Sequence, residues 1–122
     1  MKTGMRDWKK AFDKGQELIL STCSLNRNPN ANVVISLGFV DEKLLIADCQ
    51  MERTLKNLKE IKRVCIIARS QYLRARGTVE IFNDGKYYEI CRDSDKEYPA
   101  KNAILVDIKE VFDLDKQDPI KI

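Results

Sequence analysis

Two adjacent residues, Arg53 and Thr54 in "MERTLKNLKE" (51–60), bring together a forked cationic donor and a hydroxyl, a pairing suited to an anion. They stand where a helix is expected to begin. Free backbone N–H groups and the helix dipole also favour negative charge there. The plainer reading makes Thr54 a cap and leaves Arg53 solvated, and Glu52 beside them opposes an anion. On these residues alone the plainer reading is the stronger one.

A second candidate is "ANVVISLGFV" (31–40). Strand alternation puts Ala31, Val33, Ile35, Leu37 and Phe39 on one face, expected to be core. Asn32, Val34, Ser36, Gly38 and Val40 form the other. That face is small and lacks the long charged side chains usual toward solvent, so it suits a flat ligand or another subunit as well as water. Tyr72, Arg74 and Arg76 share a third face, either a stripe for single-stranded nucleic acid or an ordinary solvated face. Lys56, Lys59 and Lys62 read as surface charge. "DSDKE" (93–97) reads as a helix end, without the glycine and ligand spacing of a calcium loop.

What is missing narrows the chemistry. The 122 residues include no histidine, which excludes Ser-His-Asp and Cys-His catalysis and HExxH metal sites. Cys23, Cys49, Cys65 and Cys91 are far apart in sequence, so no metal site is expected and the thiols are expected to be reduced and mostly buried. No catalytic acid or base stands out. A small chain of this kind suits holding a cofactor that carries the chemistry. The net charge of +3 is too mild to demand nucleic acid or an acidic membrane. The first 17 residues show no targeting segment, and no apolar run approaches the ~20 residues of a membrane span. A cytoplasmic protein is expected.

Residues 5–16 should form a short helix, with Trp8, Ala11 and Phe12 on one side and Gly15 ending it. Three strands follow, 17–25, 31–40 and 43–49, joined by the turns "NRNPN" and "DEK". Met51, Leu55, Leu58 and Ile61 mark an amphipathic helix. Strands are expected at 63–70 and 72–83, the latter with Leu73, Ala75, Gly77, Val79 and Ile81 inward. A helix at 85–98 carries Tyr87, Ile90, Cys91 and Tyr98 on one stripe and stops at Pro99. A last strand, 102–114, puts Ile104, Val106, Ile108 and Phe112 on one face. Short connections suit antiparallel pairing and disfavour a doubly wound sheet. The expectation is a single domain over 1–122: mainly β, a six-stranded, mostly antiparallel barrel with flanking helices.

The ordered set of motifs resembles the FMN-binding split-barrel family, the pyridoxamine 5′-phosphate oxidase-like proteins. The set is an Asn/Pro turn, a strand with Ser36, "LLIAD", a basic-Thr pair heading a helix with "NL", then "RGTVE". The resemblance spans about Glu17 to Leu114. It implies a homodimeric split barrel with one FMN at each end of the subunit interface. Val34, Ile35 and Ser36 would line the flavin and its phosphate chain, with the Ser hydroxyl taking part. Asp48 and Cys49 would lie beside the ring, and Arg53 with Thr54 would grip the phosphate. An FMN-dependent oxidoreductase or electron carrier is implied, with an unidentified redox partner. The C-terminal "FDLDKQDPIKI" lacks the His and Arg of the relatives that oxidise pyridoxamine phosphate, so that activity is not expected. Cys49 and Gln50 replace residues more usual at the ring edge. The alternatives are a non-catalytic dimeric module of the same barrel, one holding another flavin or a deazaflavin, and a small nucleic-acid-binding barrel.

Overall fold

The computed structural model describes residues 7–122. Seven strands follow in chain order: β1 (Glu17–Cys23), β2 (Pro29–Val40), β3 (Lys43–Asp48), β4 (Arg63–Ala68), β5 (Leu73–Phe82), β6 (Asn102–Asp113) and β7 (Asp118–Ile120). Helix α1 (Glu52–Glu60) links β3 to β4, and α2 (Gly85–Ser94) links β5 to β6. Every pairing is antiparallel, in the order β3-β2-β1-β4-β5-β6-β7. The first half of β6 returns to β3, from Leu44↔Val106 to Asp48↔Asn102, and closes the expected six-stranded barrel. The second half pairs with β7, which the sequence did not announce. Pro119 sits in β7 and offers no N–H to a further strand. No helix among the described residues is long and apolar enough to cross a membrane.

Alternation builds the barrel interior. Leu18 and Leu20, Val64, Ile66 and Ala68, Leu73, Ala75 and Val79, and Ile104 and Val106 all point inward. Trp8 and Phe12 join this core, their rings edge to face at 6.0 Å. Their segment is a five-residue 3-10 helix, Trp8–Phe12, shorter than expected; residues 5 and 6 of the expected helix lie outside the described residues. It ends early because the backbone turns to strand-like pairing: the Gly15 N–H donates to the Ser36 carbonyl and the Ser36 N–H to the Gln16 carbonyl, both at 2.9 Å.

The faces of β2 differ from expectation. Val34 and Ser36 point inward, while Ala31, Val33 and Ile35 are exposed. Beyond Ser36 the register shifts between Ser36↔Ile46 and Phe39↔Leu44, with Gly38 at φ +88°. That bulge reverses the alternation, so Phe39 does pack against the core. A second bulge, opposite Arg76 and Gly77, does the same to β6. Val111 is buried there and Phe112 faces outward, unlike the single apolar face read from sequence. Helix α2 ends at Ser94, not 98, because the Asp95 carboxylate accepts the N–H groups of Glu97 (2.9 Å) and Tyr98 (3.1 Å) and makes a turn. Ile90 and Tyr98 are exposed; of the expected stripe only Cys91 is fully buried.

The β6 bulge presses backbone onto backbone: a Cβ on Gly77 would stand 2.3 Å from the Asp107 carbonyl oxygen. Gly77→Ala is expected to cost on the order of 3 kcal/mol through overpacking. The neighbouring, exposed Thr78→Ala should stay within about 0.5 kcal/mol of the parent. Urea denaturation midpoints check the contrast.

Candidate functional site

Strand β3 ends at Asp48, which is buried and spends its carboxylate on scaffolding. Oδ1 accepts the Met51 N–H at 2.8 Å and Oδ2 accepts the Asn102 amide at 2.9 Å. One side chain thus fixes both the start of α1 and the closing strand of the barrel. Both of its carboxylate oxygens are thus engaged by the protein itself.

Met51 precedes α1 and has no side chain that can cap it. The first N–H groups of a helix have no acceptor within it, so those of Glu52, Arg53 and Thr54 form a ready donor set. Arg53 is exposed and makes no hydrogen bond or ion pair with the other described residues. Thr54 is not the cap. It lies inside the helix, is 1% exposed, and donates its hydroxyl to Asn32 Oδ1. The Asn30 amide donates to Thr54 Oγ1 and to Asn32 Oδ1, both at 3.1 Å. One turn on, the buried Asn57 amide donates to Thr22 Oγ1 at 3.0 Å. These bonds stitch α1 onto the ends of β1 and β2, with Leu58 packed into the core below.

Asn30 and Asn32 were not singled out for this role in the sequence reading, since "NRNPN" reads as a turn and Asn32 as part of the small face of the next strand. A signal was present: Thr54 and Asn57 stand three apart on the side of α1 that its apolar spacing turns inward.

The next residue along β2, Val33, faces outward, 65% exposed, followed by Ile35 at 51%. Val33 heads a row of cross-strand neighbours, pairing with Ile19, Ile19 with Ile67, and Ile67 with Arg74, while Ile35 pairs with Glu17. The adjoining row runs Ala31, Ser21, Cys65, Arg76. The outer wall across β2, β1 and β4 is therefore a largely apolar plate, with two arginines at its β5 border. Arg74 stacks on Phe112, 4.8 Å from guanidinium carbon to ring centre, and Arg76 pairs with Glu110 at 3.1 Å. Contiguous exposed apolar surface of this kind marks a binding face.

The remaining residues implied by the resemblance divide sharply. Val34 is core. Ser36 is fully buried; its hydroxyl donates to the Phe12 carbonyl at 2.7 Å and accepts the Gly38 N–H at 2.9 Å. It braces the bulge and has no hydroxyl proton left for a phosphate. Cys49 is half-buried, and its thiol is pushed up first by burial and then by Asp48 and Asp95. Cys91 is buried and pushed up to about 12, by burial first and then by Cys49. Cys23 and Cys65 are half-buried, so one thiol of four is fully buried rather than most. No group of three or more metal-ligating side chains occurs among the described residues.

The family model described as pyridoxamine 5′-phosphate oxidase matches residues 7–115. An uncharacterized protein of Methanocaldococcus jannaschii is 27% identical, over 80% of this chain and 72% of its own. HupZ of Group A Streptococcus superimposes with a TM-score of 0.78 at 19% identity, covering 97% of this chain and all of that one. An FMN-binding protein of Syntrophomonas wolfei superimposes with a TM-score of 0.70 at 19% identity, covering 96% and 84%.

Thr54→Val removes the hydroxyl and leaves two enclosed amides short of a partner, so a loss of about 1–3 kcal/mol is expected in chemical denaturation. The Cys91 thiol, raised when folded, stays protonated where an unfolded thiol ionises. Its contribution is complete below about pH 9 and is lost as pH rises toward 12, because the unfolded chain sheds that proton first. Thermal midpoints of the parent should therefore fall more steeply across that interval than those of Cys91→Ala.

Proposed function

This chain belongs to the pyridoxamine 5′-phosphate oxidase family, and on that premise we propose that it is a homodimeric flavoprotein that holds FMN and works as an oxidoreductase or electron carrier. The observation that carries this reading is the join at β2. Asn32 ties down the front of α1, and the very next side chain, Val33, opens onto the apolar plate. The tie to the front of α1 and the start of the exposed apolar wall thus lie one residue apart on one strand. That is the pair of environments a phosphate joined to a planar ring requires. The solved FMN-binding protein that shares this fold supports the choice of cofactor.

The geometry supports the following residue roles. Arg53 and the first-turn N–H groups of α1 hold the phosphate. Thr54 positions that turn through its bonds to Asn30 and Asn32 rather than meeting the anion. Ile35 and Val33 pack against the ring, and the backbone of β2 lines it. Val34 and Ser36 keep that strand in place from the inside. A second copy laid across the plate would bury Val33, Ile35, Ile19 and Ile67 and shield the ring from water. Bound FMN supplies the redox chemistry; the protein supplies binding, orientation and exclusion of water.

Purified protein is expected to take up about one FMN per chain, seen as flavin absorbance, and to elute as a dimer. Arg53→Ala should weaken FMN at least tenfold, about 1.5–3 kcal/mol for a charge-assisted contact, and leave riboflavin binding nearly unchanged. Equal losses for the two ligands would refute the role of Arg53. Failure to take up FMN at micromolar concentration would sink the cofactor assignment, and uptake of a deazaflavin instead would redirect it.

A further inference from the structure

One arginine on the outer wall is held in place without a partner of its own. Arg74 is half-buried, and its guanidinium carbon lies 4.8 Å from the centre of the Phe112 ring. That contact lays a flat cation against a flat ring and fixes it there. Its Nε is enclosed and has no hydrogen-bond acceptor; among the described residues it is the one buried side-chain nitrogen or oxygen left so. An enclosed donor without an acceptor is costly, and native structures keep few of them. Arg76, two residues on, differs: it is exposed and pairs with Glu110 at 3.1 Å.

Register sets Arg74 at one end of a row. Val33, Ile19, Ile67 and Arg74 stand side by side on β2, β1, β4 and β5. At ~4.8 Å between strands the two ends are about 14 Å apart. A second copy seated on this wall is related by a two-fold axis, because the same patch serves both chains. An axis across the strands would set β5 against the partner's β5 and gather Arg74 and Arg76 of both copies. Like charges brought together in this way oppose association. An axis along the strands, between β1 and β4, avoids that. Ile19 then meets Ile67 of the partner subunit, and β2 faces the partner's β5. Glu17 comes beside Arg69 of the partner subunit, since Leu18 and Ala68 are register partners. Glu17 and Arg69 are both exposed, and neither forms an ion pair with the other described residues. In this arrangement each Arg74 lies over the opposite copy's Val33.

Strand β2, Pro29–Val40, carries no charged side chain to receive it. The proposed ligand can, because Val33 packs against its ring and the ring's pyrimidine edge bears carbonyl oxygens. We propose that Arg74 of the partner subunit completes each flavin site. It donates to that carbonyl edge and offsets the negative charge that reduction adds there. The inference rests on the homodimeric flavin reading. Neither copy's site is whole alone: Arg53 of one chain holds the phosphate, and Arg74 of the other holds the ring.

Arg74→Met keeps an unbranched stem on Phe112 and removes the charge. It is expected to weaken FMN and riboflavin alike, at least tenfold, because both ligands carry the ring. Flavin that it does hold should show a more negative midpoint potential than in the parent. Arg74→Lys, which keeps the charge, should lose less, and Arg76→Met should stay within about twofold of the parent. The decisive step pairs two variant chains, Arg53→Ala with Arg74→Met, co-expressed with different tags and isolated as the mixed dimer. One site in that dimer draws its arginines from the two unaltered positions. It should bind one FMN per two chains at the parent affinity, although each variant alone binds poorly. Parent-like FMN binding by Arg74→Met would overturn the proposal. So would a loss confined to FMN with riboflavin spared, or a mixed dimer that regains no tight site, which would put Arg74 on its own chain's ligand. A parent that takes up FMN as a monomer would refute the shared site and leave the flavin reading standing. A dimer that takes up no flavin would refute both.

Discussion

Closure of the barrel between β3 and β6 is the constraint on which everything else hangs. Five backbone pairings, Leu44↔Val106 through Asp48↔Asn102, turn an open sheet into a tube. A closed tube has a fixed interior, so each strand must declare which side chains go in. Two strands cannot keep strict alternation along their length. β2 bulges at Gly38 and β6 bulges opposite Gly77. These breaks let long strands bend around the tube while keeping apolar residues inside at both ends.

The same closure places the candidate site. Asp48 ends β3, accepts from Asn102 of the closing strand, and receives the N–H that starts α1. Barrel closure and helix entry are therefore one hydrogen-bonded unit. The helix then lies over the tube's mouth, held by Thr54 and Asn57 against Asn30, Asn32 and Thr22. Arg53, between the fixed Asp48 and the fixed Thr54, has no freedom of backbone position. It is presented outward because its neighbours are tied inward.

Much of this was legible in the sequence, and the limits have physical reasons. Element order and the antiparallel barrel followed from alternation and short turns, both local properties. The inward face of β5 came out right from Leu73 to Val79 because that strand stays regular there. The faces of the first half of β2 came out reversed, because period-two reasoning cannot say which of two apolar faces is core. Val33 and Ile35 are as hydrophobic as any core residue, and only closure shows that they lie outside. Ser36 was read as a ligand contact because a small polar residue in a strand can serve a ligand or a bulge equally well. Its bond to Phe12 reaches a segment more than twenty residues away, and its bond from Gly38 depends on the bulge. Arg53 and Thr54 read as one pair in the sequence; that Thr54 is buried against Asn30 and Asn32 while Arg53 stays exposed depends on contacts between distant segments.

One feature of the far end of the sheet bears on how this molecule lives at high concentration. Among the described residues, the only strand added outside the closed tube is β7, three residues long and carrying Pro119. Sticky surface on this protein is thus made of side chains on a curved wall, while backbone available for sheet extension is short and blunted. Contacts through a wall saturate once it is covered, whereas contacts through an open strand edge repeat without limit. The architecture can therefore carry a permanently apolar exterior and still favour small, finite assemblies over fibrils.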